Sequence, residues 1–184
     1  MNKLIISAAI LTLINLAVAD SNSPFDPSKK IDGIDLILNG TGIRKATFLG
    51  IKVYKAGLYL KTKSNNPSDI ISGELPKYLE LHFMRNVEAE KIRQAWSESI
   101  KNNNENFAAI SSKVEALNKA MKDIKEGDQL SFTFLKNNST KISLAGSEVT
   151  VIEGADFQIA LLRVWMGPRP PNEELKDGLL SIQK

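Results

Sequence analysis

Two hydrophobic periodicities alternate along the chain, and their order constrains the fold more than any other feature. Apolar residues recur at roughly every second position over residues 31–62 and 77–85, and then at helical spacing over 87–124. Alternation returns over residues 128–154, and a helix that is apolar on most of its circumference follows at 155–167. Strands and helices that are segregated in this way predict an α+β fold with a largely antiparallel sheet.

The apolar helix predicted at residues 155–167 indicates where the core lies. Its sequence, ADFQIALLRVWMG, offers too little polar surface for a helix that faces water, so we expect it to lie buried against the sheet. Further helices are predicted within residues 64–73, from Asn86 to about Ile100, at 107–124 and, after a proline break, within 168–184.

The start of the chain has the pattern of a secretory signal peptide. Lys3 precedes an interrupted apolar run over residues 4–18, and Ala-Val-Ala at 17–19 provides a small-x-small cleavage site. A membrane anchor is the alternative, but the run is short and contains polar residues. We therefore expect residues 1–19 to be removed and no stable membrane anchor to remain.

The rest of the chain predicts one domain. Residues 20–30 are polar and contain two prolines, which indicates a flexible lead-in. Residues 31–184 are long enough for a single domain with a hydrophobic core. The signal peptide, the absence of cysteine and the abundance of lysine and asparagine favour a bacterial periplasmic protein, which we expect to be a monomer.

Composition argues against several classes of function. The net charge is only +3 and the lysines are scattered, which argues against a nucleic-acid interface. The chain has no cysteine, no glycine-rich phosphate loop and a single histidine, His82, so we expect no metal and no cofactor. We expect His82 to be a solvent-facing strand residue.

The stretch GIRKATFLGIKVYKAGLYLK, residues 42–61, contains the candidate ligand-binding residues. It predicts a hairpin that turns about Gly50, after an earlier turn at Asn39-Gly40. With a short odd loop, Arg44 and Tyr54 would be diagonal neighbours on one face of the sheet, whereas an even loop would place them on opposite faces.

Two interpretations of these residues remain open at this point. A guanidinium binds a carboxylate through two hydrogen bonds, and a phenol can add a third, so Arg44 and Tyr54 would suit an anionic ligand. Alternatively, Arg44 is a surface residue that pairs with Asp35 or with solvent, and Tyr54 is a packing residue with a wet hydroxyl.

Four phrases, in order, resemble the chalcone isomerase-like family, and more closely its bacterial secreted branch. They are residues 42–60, LSFTFLKNNSTKISLAG at 130–146, GADFQIALLRVWMG at 154–167 and PNEELKDGLL at 171–180. The resemblance extends over about 31–180. It implies an open-faced β-sandwich, in which a large antiparallel sheet is covered by a layer of helices.

The resemblance also allows a comparison of functional positions. Plant chalcone isomerases use an arginine on an early strand, and Arg44 falls on that position. Their strand threonine falls at or near Tyr54, and the helical tyrosine and asparagine fall near Glu88 and Ala95. Their late-helix hydroxyl falls near Val164, so most of the polar set is replaced. Chalcone cyclisation is therefore not favoured.

A second branch of the family, the plastid fatty-acid-binding proteins, matches the pattern better. These proteins hold a carboxylate with an arginine and a tyrosine, and the resemblance implies this role for Arg44 and Tyr54. The apolar walls of such a site would come from Phe48, Leu58, Leu161, Val164 and Trp165.

Three hypotheses follow from these observations. The first is a non-catalytic binding protein for a small amphipathic molecule such as a fatty acid. The second is an isomerase, an intramolecular lyase on an unidentified substrate, with Arg44 as its electrophile. The third is a structural or envelope-interaction module in which side chains fill the cleft.

Overall fold

A computed structural model describes residues 23–46 and 49–182, and the predicted signal peptide and Phe48 lie outside them. Within these residues, seven strands form one antiparallel sheet in which each strand pairs with the next along the chain. The strands are β1 (Ser28–Ile31), β2 (Ile34–Ala46), β3 (Ile51–Leu60), β4 (Lys77–Phe83), β5 (Gln129–Phe134), β6 (Ser139–Leu144) and β7 (Ser147–Glu153). The helices are α1 (Pro67–Ser72), α2 (Ala89–Asn103), α3 (Phe107–Ala120), α4 (Ala155–Met166) and α5 (Glu173–Leu179).

The fold is the predicted α+β architecture, a curled antiparallel sheet with helices packed against it. Alternation on β4 places Leu79, Leu81 and Phe83 in the core beneath the helices. Helix α4 is buried along most of its length, as its apolar circumference predicts. Among the described residues, no helix is long and apolar enough to cross a membrane.

An aromatic cluster lies at the centre of the core. The ring of Trp165 on α4 packs against Trp96 of α2 and Phe132 of β5, with ring centroids 5.7 Å away in both cases. Trp96 also meets Phe132 edge to face at 5.6 Å. These geometries are the favoured ones for aromatic pairs, so they fix α2 and α4 over the middle of the sheet.

The predicted turn at Asn39-Gly40 is wrong, because both residues lie inside the single long strand β2. The turn comes earlier, at residues 32–33, and Asn39 and Gly40 lie at a register shift. The Asn39 side chain donates to the carbonyl of Leu179, 2.8 Å away, and a Cβ on Gly40 would meet the carbonyl oxygen of Gly178. Docking of α5 therefore overrides the local turn preference.

The described part of the predicted lead-in also belongs to the fold, which begins before residue 31. Strand β1 starts at Ser28 and pairs with β2, and Phe25 is only 8% exposed. Phe25 packs with Leu36 and Tyr59 in a second, smaller cluster. A Cβ on Gly57 would lie 2.6 Å from the Phe25 ring, so this glycine makes room for the aromatic side chain.

Two helix boundaries differ from the prediction. Helix α2 begins at Ala89, and the Asn86 side chain instead accepts the backbone N–H of Glu126 at 2.8 Å. Helix α3 ends at Ala120 because Ile124 pairs with Val87 in an isolated antiparallel bridge.

Candidate functional site

Strand pairing places Arg44 directly opposite Tyr54. The two residues are Cα partners in the β2–β3 ladder, so their side chains lie on the same face of the sheet. A register shift between Arg44 and Lys45 leaves Val53 as an extra residue in β3. Arg44 and Tyr54 therefore lie directly opposite each other and share a face of the sheet. The predicted diagonal arrangement assumed a hairpin without a bulge.

Tyr54 lies beneath the helix layer and is 4% exposed. Its hydroxyl oxygen accepts a hydrogen bond from the indole N–H of Trp165, with 3.2 Å between oxygen and nitrogen. Burial raises the pKa of Tyr54 to about 12, although the Trp165 hydrogen bond and the charge of Arg44 act in the opposite direction. The phenol is therefore neutral at physiological pH and can donate its own proton.

The Arg44 guanidinium is half-buried and has no acidic partner among the described residues. Its Nη1 donates to the carbonyl oxygens of Lys45 at 2.7 Å and Pro171 at 3.1 Å. Asp35, proposed above as an alternative partner, instead pairs with Lys30 at 3.0 Å. Because a guanidinium has five N–H donors, Arg44 keeps donor capacity for a ligand.

The segment that leads into α5 covers Arg44. Asn172 accepts the backbone N–H of Lys45 and donates to the carbonyl of Ile43, both at 3.2 Å. Lys45 also forms an ion pair with Glu174 of α5. We call these contacts of Asn172 and Glu174 with β2 the α5 clip. They are not predictable from the sequence, since asparagine before a short helix normally predicts only a cap.

The other predicted site residues in the described chain converge beneath the helices. Leu58, Leu161, Val164 and Trp165 are buried in the same core cluster as Tyr54. Phe48 lies outside the described residues, so its predicted role stays a prediction.

Trp96 of α2 lies next to this region, against the ring of Trp165. It is 3% exposed, and its indole N–H has no acceptor among the described residues. Its ring packs against Trp165, whose indole N–H donates to the hydroxyl of Tyr54. Trp96 thus adds a buried donor beside the Tyr54–Trp165 pair.

His82, which is predicted to face solvent, lies on the face of the sheet opposite the helices and is only partly exposed there. Its ring meets Phe25 edge to face at 5.1 Å, and its Nε2 is buried 3.8 Å from a carboxylate oxygen of Glu80. The burial follows from the N-terminal segment, which covers this face with Phe25.

Glu80 is the centre of a buried polar network on that face and is 0% exposed. Tyr59 donates to its Oε1 at 2.9 Å, Gln129 donates to Oε2, and the Lys29 ammonium lies 3.5 Å from Oε2. Burial alone would raise the pKa of Glu80, but His82, Tyr59 and Lys29 together lower it below its ordinary value. The carboxylate is therefore charged at neutral pH.

Within residues 23–46 and 49–182, no group of three histidine or acidic side chains is placed to hold a metal ion.

Comparison with known proteins identifies relatives of this architecture. A family model described as chalcone isomerase-like matches residues 17–181. The crystal structure of a fatty-acid binding protein of Arabidopsis thaliana superposes with a TM-score of 0.67 at 16% sequence identity, covering 83% of this chain and 95% of that one. A search of curated proteins found no match by sequence. At this level of identity, the structural likeness shows the fold alone.

Proposed function

This chain belongs to the chalcone isomerase-like family, and we propose that it is a non-catalytic binding protein for a small amphipathic molecule such as a fatty acid. Arg44 and Tyr54 hold the carboxylate of that ligand. The observation that carries the proposal is the direct pairing of a guanidinium without an acidic partner and a neutral, buried phenol.

The chemistry of the site favours an anion. Arg44, Tyr54 and Trp96 all have donor capacity left over among the described residues, and none of them faces a carboxylate of the chain there. Hydrogen bonds to a charged acceptor are the strong ones, and arginine binds carboxylates through two parallel bonds. The Arabidopsis neighbour is a fatty-acid binding protein with the same fold, which supports this ligand class.

The apolar tail of the ligand lies between β3 and α4, beside Leu58, Leu161 and Val164. These side chains are tightly packed against one another, so binding requires a minor conformation in which the α5 clip or the Trp165 ring moves. The clip is the better candidate, because its side-chain bonds to β2 are few and lie near the surface.

The isomerase hypothesis receives less support. The positions that would carry the enzyme's helical tyrosine and asparagine are Glu88 and Ala95, and both are exposed rather than directed at Arg44. Val164 offers no hydroxyl. One arginine without these partners can polarise a carbonyl but cannot order the water and substrate oxygens of a cyclisation.

We further propose that the protein is a member of the bacterial secreted branch and works in the periplasm. The basis is the sequence pattern of residues 1–19, nearly all of which precede the family match that starts at residue 17.

The test starts from protein expressed with its own leader and isolated from the periplasmic fraction, whose N-terminus should be Asp20. Solvent extraction and mass spectrometry then identify any bound acid, and laurate is titrated by calorimetry into the wild type, Arg44→Ala, Tyr54→Phe and the exposed control Arg85→Ala. Since a hydrogen bond to a charged group contributes about 1.5–3 kcal/mol, Arg44→Ala should weaken binding by about tenfold to a hundredfold.

Three outcomes would contradict the proposal. An empty wild-type protein that also fails to bind laurate removes the carrier function. Equal laurate affinity in Arg44→Ala and Arg85→Ala removes the carboxylate site. A protein retained in the cytoplasm with Met1 still present removes the periplasmic location.

A further inference from the structure

A groove of about 1120 Å³ lies in the helix layer, away from Arg44 and Tyr54. It follows one side of α4 from Asp156 to Gly167, and α1, the α2–α3 connection and the start of α3 form its other walls. At 1.5 Å rise per residue this side of α4 is about 16 Å long. The groove is therefore elongated, and it is large enough for a small-molecule ligand.

An apolar strip lines the groove. Ile159 of α4 is 36% exposed, and Ile71 of α1 and Phe107 of α3 are both only partly buried. Each contributes apolar surface to the groove from a different helix. Burial of such surface stabilises a complex by about 25 cal/mol per Å², so the strip favours a ligand with a hydrocarbon portion.

Three cationic side chains lie at the end of the groove where α2 and α4 end. Lys101, Arg163 and Arg169 line this end, and neither Lys101 nor Arg169 makes an ion pair with any residue of the described chain. Glu105 is an exposed acid of the lining, and Asp156 at the far end is paired with Lys113. The charge of the groove is thus positive at one end and largely compensated at the other.

Asn103 and Asn104, at the end of α2, bond backbone carbonyls at this end of the groove. Helix C-termini normally attract cations to their free carbonyls. Here the Asn103 amide donates to the carbonyls of Ser99 and Arg169, both at 2.9 Å, and the Asn104 amide donates to Ile100 at 2.7 Å and to Ala160 at 3.2 Å. These carbonyls are therefore bonded by side-chain amides, and no hydrogen bond joins them to the side chains of Lys101 and Arg169 in the described chain.

We propose that this groove is a second binding site, for single-chain amphipathic anions. The carboxylate lies against Lys101 and Arg169, and the hydrocarbon chain follows Ile159, Ile71 and Phe107 along α4. The site uses none of the residues of the Arg44 site, so either one can exist without the other.

The probes are octanoate and octanol, which share a chain and differ in charge. Each is titrated into ¹⁵N-labelled protein, and amide shifts are followed for the groove and for β2–β3 separately. The variants are Lys101→Glu with Arg169→Glu, the control pair Lys122→Glu with Lys125→Glu beyond the far end of α3, and Arg44→Ala. We expect the amide shifts of the groove to saturate with octanoate. The affinity for octanoate that these shifts measure should fall by about tenfold or more in the Lys101→Glu, Arg169→Glu variant, and it should also fall at high salt.

The outcomes separate the two sites. Groove shifts that persist in Arg44→Ala and in the control pair, but not in the groove variant, support the inference. If octanoate causes no amide shifts in the groove, the inference is overturned. If amide shifts then occur in β2–β3, the Arg44 proposal is still supported. Equal affinity for octanoate and octanol overturns the anionic class. Groove shifts together with a silent β2–β3 hairpin support this second site and count against the first.

Discussion

Replacement of Glu80 by glutamine should destabilise the protein although it changes the side-chain volume very little. The carboxylate accepts hydrogen bonds from Tyr59 and Gln129 and lies 3.5 Å from the ammonium of Lys29. An amide at this position still accepts from Tyr59, but its NH₂ group cannot accept from the NH₂ group of Gln129.

The expected loss follows from these contacts. One hydrogen bond to a charged group disappears, and the attraction to Lys29 disappears with it. Bonds to charged groups contribute about 1.5–3 kcal/mol each, so Glu80→Gln should lower the free energy of unfolding by about 2 kcal/mol.

The loss should depend on pH in a defined direction. The pKa of Glu80 is lower in the folded protein than its ordinary 4.5, so the unfolded chain binds the proton more readily. The stabilisation is present above the ordinary pKa and is lost as pH falls through the folded value. The difference between wild type and Glu80→Gln should therefore be full at about pH 7 and shrink below about pH 4.

Urea unfolding followed by circular dichroism at several pH values measures both effects. The matched control is Glu148→Gln, which removes an exposed ion pair with Lys141 and should cost no more than about 0.5 kcal/mol. If Glu80→Gln costs no more than the control, or if its cost is the same at neutral and acidic pH, the network does not stabilise the fold as argued.

Two further predictions concern the backbone and the tyrosines. Gly40→Ala should destabilise the protein by about 2 kcal/mol in the same urea assay, since its Cβ would meet the carbonyls of α5. A Gly40→Ala protein that is as stable as the wild type would contradict the reasoning. Alkaline titration of ultraviolet absorbance should show no tyrosine ionising near pH 10 in the folded protein, because burial raises the pKa of Tyr54, Tyr59 and Tyr78. Stability should then fall as pH rises above about 10, and a tyrosine that titrates normally before unfolding would contradict this.

The fold was largely predictable because its signals are local and repeated. The apolar circumference of α4 and the alternation of β4 each determine which faces are buried, wherever the elements are placed. The turn at Asn39-Gly40 was predicted wrongly because its cause is not local. The partner of Asn39 is Leu179, at the other end of the chain.

The candidate site was predictable only in part. The sequence indicates Arg44 and Tyr54 as candidate ligand-binding residues. Their direct pairing depends on the bulge at Val53, which no pattern of residue types in the sequence predicts. The capping by Asn103 likewise depends on how the end of α2 meets the end of α4. Phe25 was missed because a single aromatic in a polar segment carries no periodicity.

The hydrogen bond between Asn39 and Leu179 also sets an order of events in chain synthesis. It joins residues 140 positions apart, and Gly40 and Gly42 of β2 lie against the backbone of α5. Contacts of such sequence separation form late, since a long loop must close first. Helix α5 therefore does not cover the β2–β3 hairpin that carries Arg44 until almost the whole chain has been made. A ligand present at that stage can contact the hairpin before α5 docks on it.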